Sequence, residues 1–157
     1  MLDKKKNFEL IINHLKSVIN KNNEKEYILY VVCKTLVDTI DYYDWVGFYL
    51  VDSDDDKMLV LGPYIGDPTD HTRIPFGKGV CGQAAEKKET IVIQDVSSEN
   101  NYLSCSPVVK SEIVVPILKD GRVVGELDID SHQKSPFTDE DSIFLNKICD
   151  FIAEQAF

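Results

Sequence analysis

The sequence predicts an α+β domain: a central antiparallel sheet with the N- and C-terminal helices packed on one face. Three observations carry this. Apolar residues recur at helical spacing near both ends of the chain, the middle is built of short aromatic and β-branched runs, and Lys119-Asp120-Gly121 joins two such runs as a hairpin. Helices at the ends with strands between them favour an antiparallel sheet rather than a doubly wound parallel one. The 157 residues suit one domain, 1–157, with helices in 1–41, sheet and loops in 42–135 and a last helix in 136–157.

Taken in order, Phe8, Ile11, Ile12, Leu15 and Ile19 predict an amphipathic helix over about residues 6–20. Asn23 followed by Glu26 reads as a capping box that opens a second helix carrying Cys33. Asp44–Val51 reads as a strand, the acidic tip Asp52–Asp56 as a turn, and Met58–Leu61 as its partner. Gly62-Pro63 and Gly66-Asp67-Pro68 punctuate a loop. A short strand, Thr72–Ile74, leads through Gly77-Lys78-Gly79 into a short helix from Val80 to Glu86, with Cys81 near its start. Thr90–Ile93 is a further strand, and residues 95–110 are polar and irregular. Ser111–Leu118 and Arg122–Ile129 form the hairpin, and Thr138 caps the last helix, whose stripe holds Phe144, Ile148, Phe151, Ile152 and Gln155.

Composition removes several function classes. The chain is 43% hydrophobic, so it can bury a core without staples. Its net charge of −10 repels phosphate backbones and anionic lipid, and no basic patch offsets it, so neither nucleic acid nor a membrane is expected as a partner. The N-terminal apolar stretch is broken by Asn13, His14 and Lys16, which excludes a signal peptide or a span and leaves a cytoplasmic protein as the expectation. The acidic tip lacks the Gly and Glu of a calcium loop, having Lys57 and Pro63 at those positions. The four cysteines contain no CxxC pair, so neither a zinc ribbon nor a thioredoxin motif is read, and no metal ligand set is assigned.

The chemistry-bearing residues are cysteines beside turns and carboxylates on strands. Cys33 and Cys149 lie inside helical apolar patterns and read as core. Cys105 lies in the polar loop, where a thiol favours function, and Cys81 sits at a helix start, where free N–H groups can lower a thiol pKa. Asp128 and Asp130 share one strand face, and like charges so placed are either exposed or employed. The hairpin register decides whether Glu112 joins them. A three-residue turn, Lys119-Asp120-Gly121, is expected; it pairs residue 118 with 122 and sets Glu112 opposite Asp128.

Taken together, Asp44-Trp45-Val46-Gly47-Phe48-Tyr49-Leu50, Arg73-Ile74-Pro75-Phe76-Gly77-Lys78-Gly79-Val80-Cys81-Gly82, Ser111-Glu112-Ile113-Val114-Val115-Pro116 and Leu127-Asp128-Ile129-Asp130-Ser131 resemble the free methionine-(R)-sulfoxide reductases, single-domain enzymes of the GAF fold. The resemblance implies thiol-dependent reduction of free L-methionine-(R)-sulfoxide, without a cofactor. It matches Cys105 to the catalytic cysteine, Glu112 to the motif glutamate, and Asp128 and Asp130 to the paired aspartates. Trp45 and Tyr49 match the aromatic wall around the substrate methyl group, and Cys81 the cysteine of the Gly-Val-Cys-Gly turn. Two positions depart from the family pattern: His71 stands where a cysteine that pairs with the catalytic one is usual, and Ser106 where Asp is usual.

On this reading Cys105 attacks the sulfoxide sulfur and becomes a sulfenic acid. Asp130, with Glu112 next, protonates the leaving oxygen, the other carboxylates hold the substrate ammonium, and backbone around Leu103, Ser104 and Cys105 receives its carboxylate. Recycling is open to Cys81, to a small thiol or to thioredoxin, with Cys81 preferred. The rival reading is a non-enzymatic GAF module for small-ligand or redox sensing. A homodimer through the terminal helices is expected.

Overall fold

The computed structural model describes residues 3–100 and 107–157. Its helices are α1 (Lys4–Val18), α2 (Lys25–Thr39), α3 (Gly79–Lys87) and α4 (Asp139–Ala156). Its strands are β1 (Trp45–Val51), β2 (Met58–Ile65), β3 (Arg73–Pro75), β4 (Ile91–Ile93), β5 (Ser111–Lys119) and β6 (Arg122–Ser131). They form one antiparallel sheet in the order β3-β2-β1-β6-β5-β4. The two central strands, β1 and β6, pair directly, so the first and last strands of the chain meet at the middle of the sheet.

Strand alternation divides the sheet into two faces. Val46 and Phe48 of β1, Ile113, Val115 and Ile117 of β5, and Leu127 and Ile129 of β6 face α1, α2 and α4 in the main core. The three terminal helices thus cover one face, as expected. Trp45, Tyr49 and Val114 point the other way, into a smaller cluster closed by Val80, Cys81, Ala84 and Ala85 of α3. Cys33 and Cys149 are buried in the main core, as their helical spacing predicts.

Several local expectations are corrected. Asn23 does not cap α2: its Oδ1 accepts from the Asn20 N–H at 2.8 Å, and the helix begins one turn position later after Glu24. Strand β2 runs through Gly62-Pro63 rather than stopping there. Gly62 and Pro63 stand together opposite Phe48 at a bulge in the β1–β2 pairing, and the outer neighbour β3 pairs only with Met58–Val60, so the proline sits where a sheet tolerates one. The 95–110 segment contains a 3-10 turn, Val96–Ser98, with the Asp95 side chain accepting from the Ser97 N–H.

The β5–β6 turn is also corrected. Lys119 pairs with Arg122 across the two-residue turn Asp120-Gly121, whose φ angles of 53° and 77° are those of a primed turn matching the strand twist. Taken alone, this even-length turn would send Glu112 to the opposite face. A bulge then shifts the register between Ile117 and Leu118, so that Ile117 pairs with Gly125 and Glu112 with Asp130. Glu112 therefore shares the face of Asp128 and Asp130, by a route different from the expected one, and its direct partner is Asp130.

Asp141 fastens α4 to the rest of the domain. Thr138 caps α4 as expected, and the structure adds Asp141 to it as a capping box. The buried Asp141 carboxylate also accepts from the Tyr42 and Tyr43 hydroxyls at 2.7 Å each, and Lys4 of α1 pairs with it. Asp141→Ala leaves two tyrosine hydroxyls and the cap without their acceptor. We expect it to lower unfolding stability by about 2–4 kcal/mol in denaturant titration; a loss within about 0.5 kcal/mol of zero would contradict this role.

Candidate active site

The site is a grid of side chains on the sheet face opposite the three terminal helices. Pairing sets Trp45, Asp130 and Glu112 in one row, Gly47, Asp128 and Val114 in the next, and Tyr49, Glu126 and Pro116 in a third. Three acids of β6 therefore line up along the strand, and a fourth faces the end one. All four are buried: Glu126 is 0% exposed, Asp130 1%, Glu112 3% and Asp128 6%. The exposed alternative for the paired aspartates is excluded.

Helix α3 lays Cys81 over this grid. The entry turn is pinned by Gly77 N–H to Gly82 C=O at 2.7 Å and Gly82 N–H to Lys78 C=O at 3.0 Å. The Cys81 thiol donates to Asp128 Oδ2 at 3.4 Å and lies 3.9 Å from Glu112 Oε1. A small cavity of about 10 Å³ remains, lined by Tyr49, His71, Ile74, Val80, Cys81, Glu112, Asp128 and Asp130 among others. That is room for about one water. The Tyr49 hydroxyl donates to the His71 carbonyl at 2.8 Å, which fixes the cavity rim.

Trp45 is on the same face but outside the cavity lining. Its ring stacks on Tyr64 at 5.2 Å, its indole N–H donates to the Asp67 carbonyl at 3.0 Å, and it lies across Gly47. A Cβ at position 47 would come within 2.4 Å of the indole, so the strand carries glycine there. Leu103, Ser104, Cys105 and Ser106 lie outside the described residues.

The electrostatics run against one expectation. Burial, followed by the charges of Asp128, Glu126 and Glu112, pushes the Cys81 thiol well above its usual value. The helix start does not lower it, because the thiol is buried and faces carboxylates. Burial also raises Glu112, helped by Asp128 and Asp130 and by a hydrogen bond with Asp130. Asp128 is raised by burial and by Asp130, against hydrogen bonds from Cys81 and Glu112. Close like charges in a low-dielectric cluster cannot all ionise, so protons are retained there near neutral pH.

Glu126 was missed in the sequence. The signal was its place in the 126, 128, 130 alternation, but it stands toward the hairpin end, where a glutamate normally reaches water. Its carboxyl is raised by burial first and then by Asp128, and neither oxygen has a hydrogen bond of normal geometry, with the Cys81 thiol its polar neighbour. Above about pH 4.3 the unfolded chain releases this proton while the folded chain keeps it. The carboxyl thus costs stability that grows with pH up to its folded pKa. Glu126→Gln is expected to raise Tm by about 3 °C or more near pH 8, with the gain vanishing near pH 4. A lowered Tm near pH 8 would contradict this.

A larger open groove of about 620 Å³ lies beside the β5–β6 turn. Three of its lysines are engaged locally, with Lys88 Nζ on Gly121 C=O, Lys119 Nζ on Ala153 C=O and Lys57 over the Phe76 ring. It brings together no nucleophile with an acid cluster.

This sheet with its buried acid face is a GAF domain, and the GAF-domain family model matches residues 24–154. The chain is 38% identical over 136 residues to the free methionine-R-sulfoxide reductase of Saccharomyces cerevisiae, covering 86% of this chain and 73% of that one. Among solved structures, the free methionine-R-sulfoxide reductase of Neisseria meningitidis in complex with its substrate superposes with a TM-score of 0.92 at 35% identity, covering 99% of this chain and 91% of that one. The reduced enzyme of Staphylococcus aureus gives 0.88 at 38% identity, covering 96% of each. The chain belongs to the free methionine-R-sulfoxide reductase family of GAF domains and is an oxidoreductase.

Proposed function

We propose that this chain reduces free L-methionine-(R)-sulfoxide to L-methionine, with Cys105 as the nucleophile. The observation that carries the reading is the convergence of Glu112, Asp128 and Asp130 on one buried face beside a small cavity. Such a cluster suits a ligand bearing both an ammonium and an oxygen that must be protonated. The similarity to enzymes named for this substrate supports the same choice.

The substrate enters by displacing part of the cavity wall, and its ammonium takes the place of the retained protons beside Asp128. Backbone N–H groups around Leu103 and Ser104 receive its carboxylate, and Trp45 and Tyr49 flank its methyl group. The Cys105 sulfur attacks the sulfoxide sulfur and forms an S–S bond while Asp130, which shares a proton with Glu112, protonates the sulfoxide oxygen; that hydroxyl then passes to the Cys105 sulfur as the S–S bond breaks and methionine leaves. The thiol and the sulfoxide become a Cys105 sulfenic acid and methionine, so cysteine sulfur is oxidised and substrate sulfur reduced. Two equivalents of thiol then return Cys105 to its reduced form, releasing water and a disulfide.

Cys81 was the preferred internal resolver. Its raised pKa and its engagement with Asp128 favour an external thiol for that step, either thioredoxin or a small thiol. Peptide mapping after one equivalent of sulfoxide is expected to show no Cys81–Cys105 disulfide; a stoichiometric one would restore Cys81 to the role. We further propose a cytoplasmic homodimer, built through terminal helices that expose Leu10, Tyr27, Tyr30 and Ile143. No helix among the described residues is long and apolar enough to cross a membrane.

Methionine formation from the free R-sulfoxide, supplied with thioredoxin or with a small thiol, tests the function. Turnover of the R but not the S epimer is expected. Binding without methionine formation would favour the sensing module instead.

A further inference from the structure

One buried nucleophile has no role in the reaction as proposed. The Cys81 sulfur, one Glu112 oxygen and one Asp128 oxygen all lie within 4.8 Å of one another, and all three residues are buried. They come from α3, β5 and β6, so no sequence spacing announces the set. We propose that Cys81, Glu112 and Asp128 form a binding site for one divalent cation of borderline softness, zinc foremost, which occupies the cavity in competition with substrate. The competition rests on the reductase reading; the metal site does not.

Geometry is the first support. A tetrahedral zinc ion, with bonds of about 2.3 Å to sulfur and about 2.0–2.2 Å to oxygen, holds its sulfur and oxygen ligands about 3.5 Å apart. Here Cys81 Sγ lies 3.4 Å from Asp128 Oδ2 and 3.9 Å from Glu112 Oε1. The cavity of about 10 Å³ has room for one occupant of water size, which a single metal ion matches, whereas the amino-acid substrate must open it.

Unmet polar capacity is the second. Asp128 Oδ1 and both Glu126 oxygens are buried without a hydrogen-bond partner, and Glu126 adjoins Cys81. No lysine, arginine or histidine forms an ion pair with Glu112, Glu126 or Asp128 among the described residues. A cation brings the charge these groups lack, and Glu126 supports it from behind the sulfur. One thiolate with two carboxylates selects zinc or cobalt over magnesium or calcium. Binding transfers no electrons; the thiol proton leaves to solvent as the metal–sulfur bond forms.

Cobalt(II) titration of the reduced full-length chain, followed by the near-ultraviolet absorption of a cobalt–thiolate bond, tests the proposal. One cobalt per chain is expected, displaced by zinc. The absorption should persist in Cys105→Ser and vanish in Cys81→Ser. Glu112→Gln should keep it but weaken cobalt binding at least about tenfold. Absence of the absorption, its survival in Cys81→Ser, or unchanged affinity in Glu112→Gln would each overturn the site, and the last decides should the cysteine variant not fold. Free methionine sulfoxide added to Cys105→Ser should weaken cobalt binding, and undiminished binding overturns the competition. Cobalt bound normally by a chain without turnover would count against the reductase reading alone.

Discussion

Cys105→Ser is expected to lower turnover of free methionine-(R)-sulfoxide by about 10³-fold or more, because a serine hydroxyl neither attacks sulfur effectively nor carries oxygen away as a sulfenic acid. The loss should fall on kcat, since the hydroxyl occupies nearly the same space and the acids that hold the ammonium remain. Equilibrium binding of the sulfoxide to this variant should therefore persist. The neighbouring carboxylates explain why the effect should not be softened by another thiol. Cys81 faces Asp128 and is held protonated, while Cys33 and Cys149 are buried in the core beneath the terminal helices. Activity within about tenfold of the parent would remove Cys105 from the mechanism.

Asp130→Asn is expected to reduce kcat by about 10²–10⁴-fold, the range that a positioned proton donor supplies. Its reason lies in the register. Asp130 faces Glu112 across the β5–β6 ladder and hydrogen-bonds with it, so the pair can hold one proton between them at neutral pH. An amide keeps the shape but donates no proton to a departing oxide. KM should change less than kcat if Asp128 holds the ammonium, and Asp128→Asn should show the opposite split. An unaltered rate in Asp130→Asn would reassign the donor to Glu112.

Much of the fold was legible because its signals are local. Thr138 caps the last helix where its hydroxyl residue precedes the apolar stripe, and the alternation in Leu127-Asp128-Ile129-Asp130 placed apolar and acidic residues on opposite faces. What escaped depended on neighbours that the local sequence does not reveal. The bulge near Gly125 cancels the parity of a two-residue turn, and bulges carry no strong local code. Pro63 continues β2 at a bulge against β1, beyond the reach of the short β3. Glu126 reads as a surface residue until α3 is known to cover it, and the fall in Cys81 acidity follows from the same covering. The turn at Cys81 was visible; the carboxylates facing its sulfur were not.

The central claim is that one sulfur takes the substrate's oxygen beside this acid face. Single turnover of the reduced chain, without added thiol and with a sulfenic-acid trap such as dimedone, tests it most directly. One methionine per chain should form, with the trap attached at Cys105 in matching yield. Methionine formed without modification of Cys105, or modification confined to another cysteine, would contradict the account.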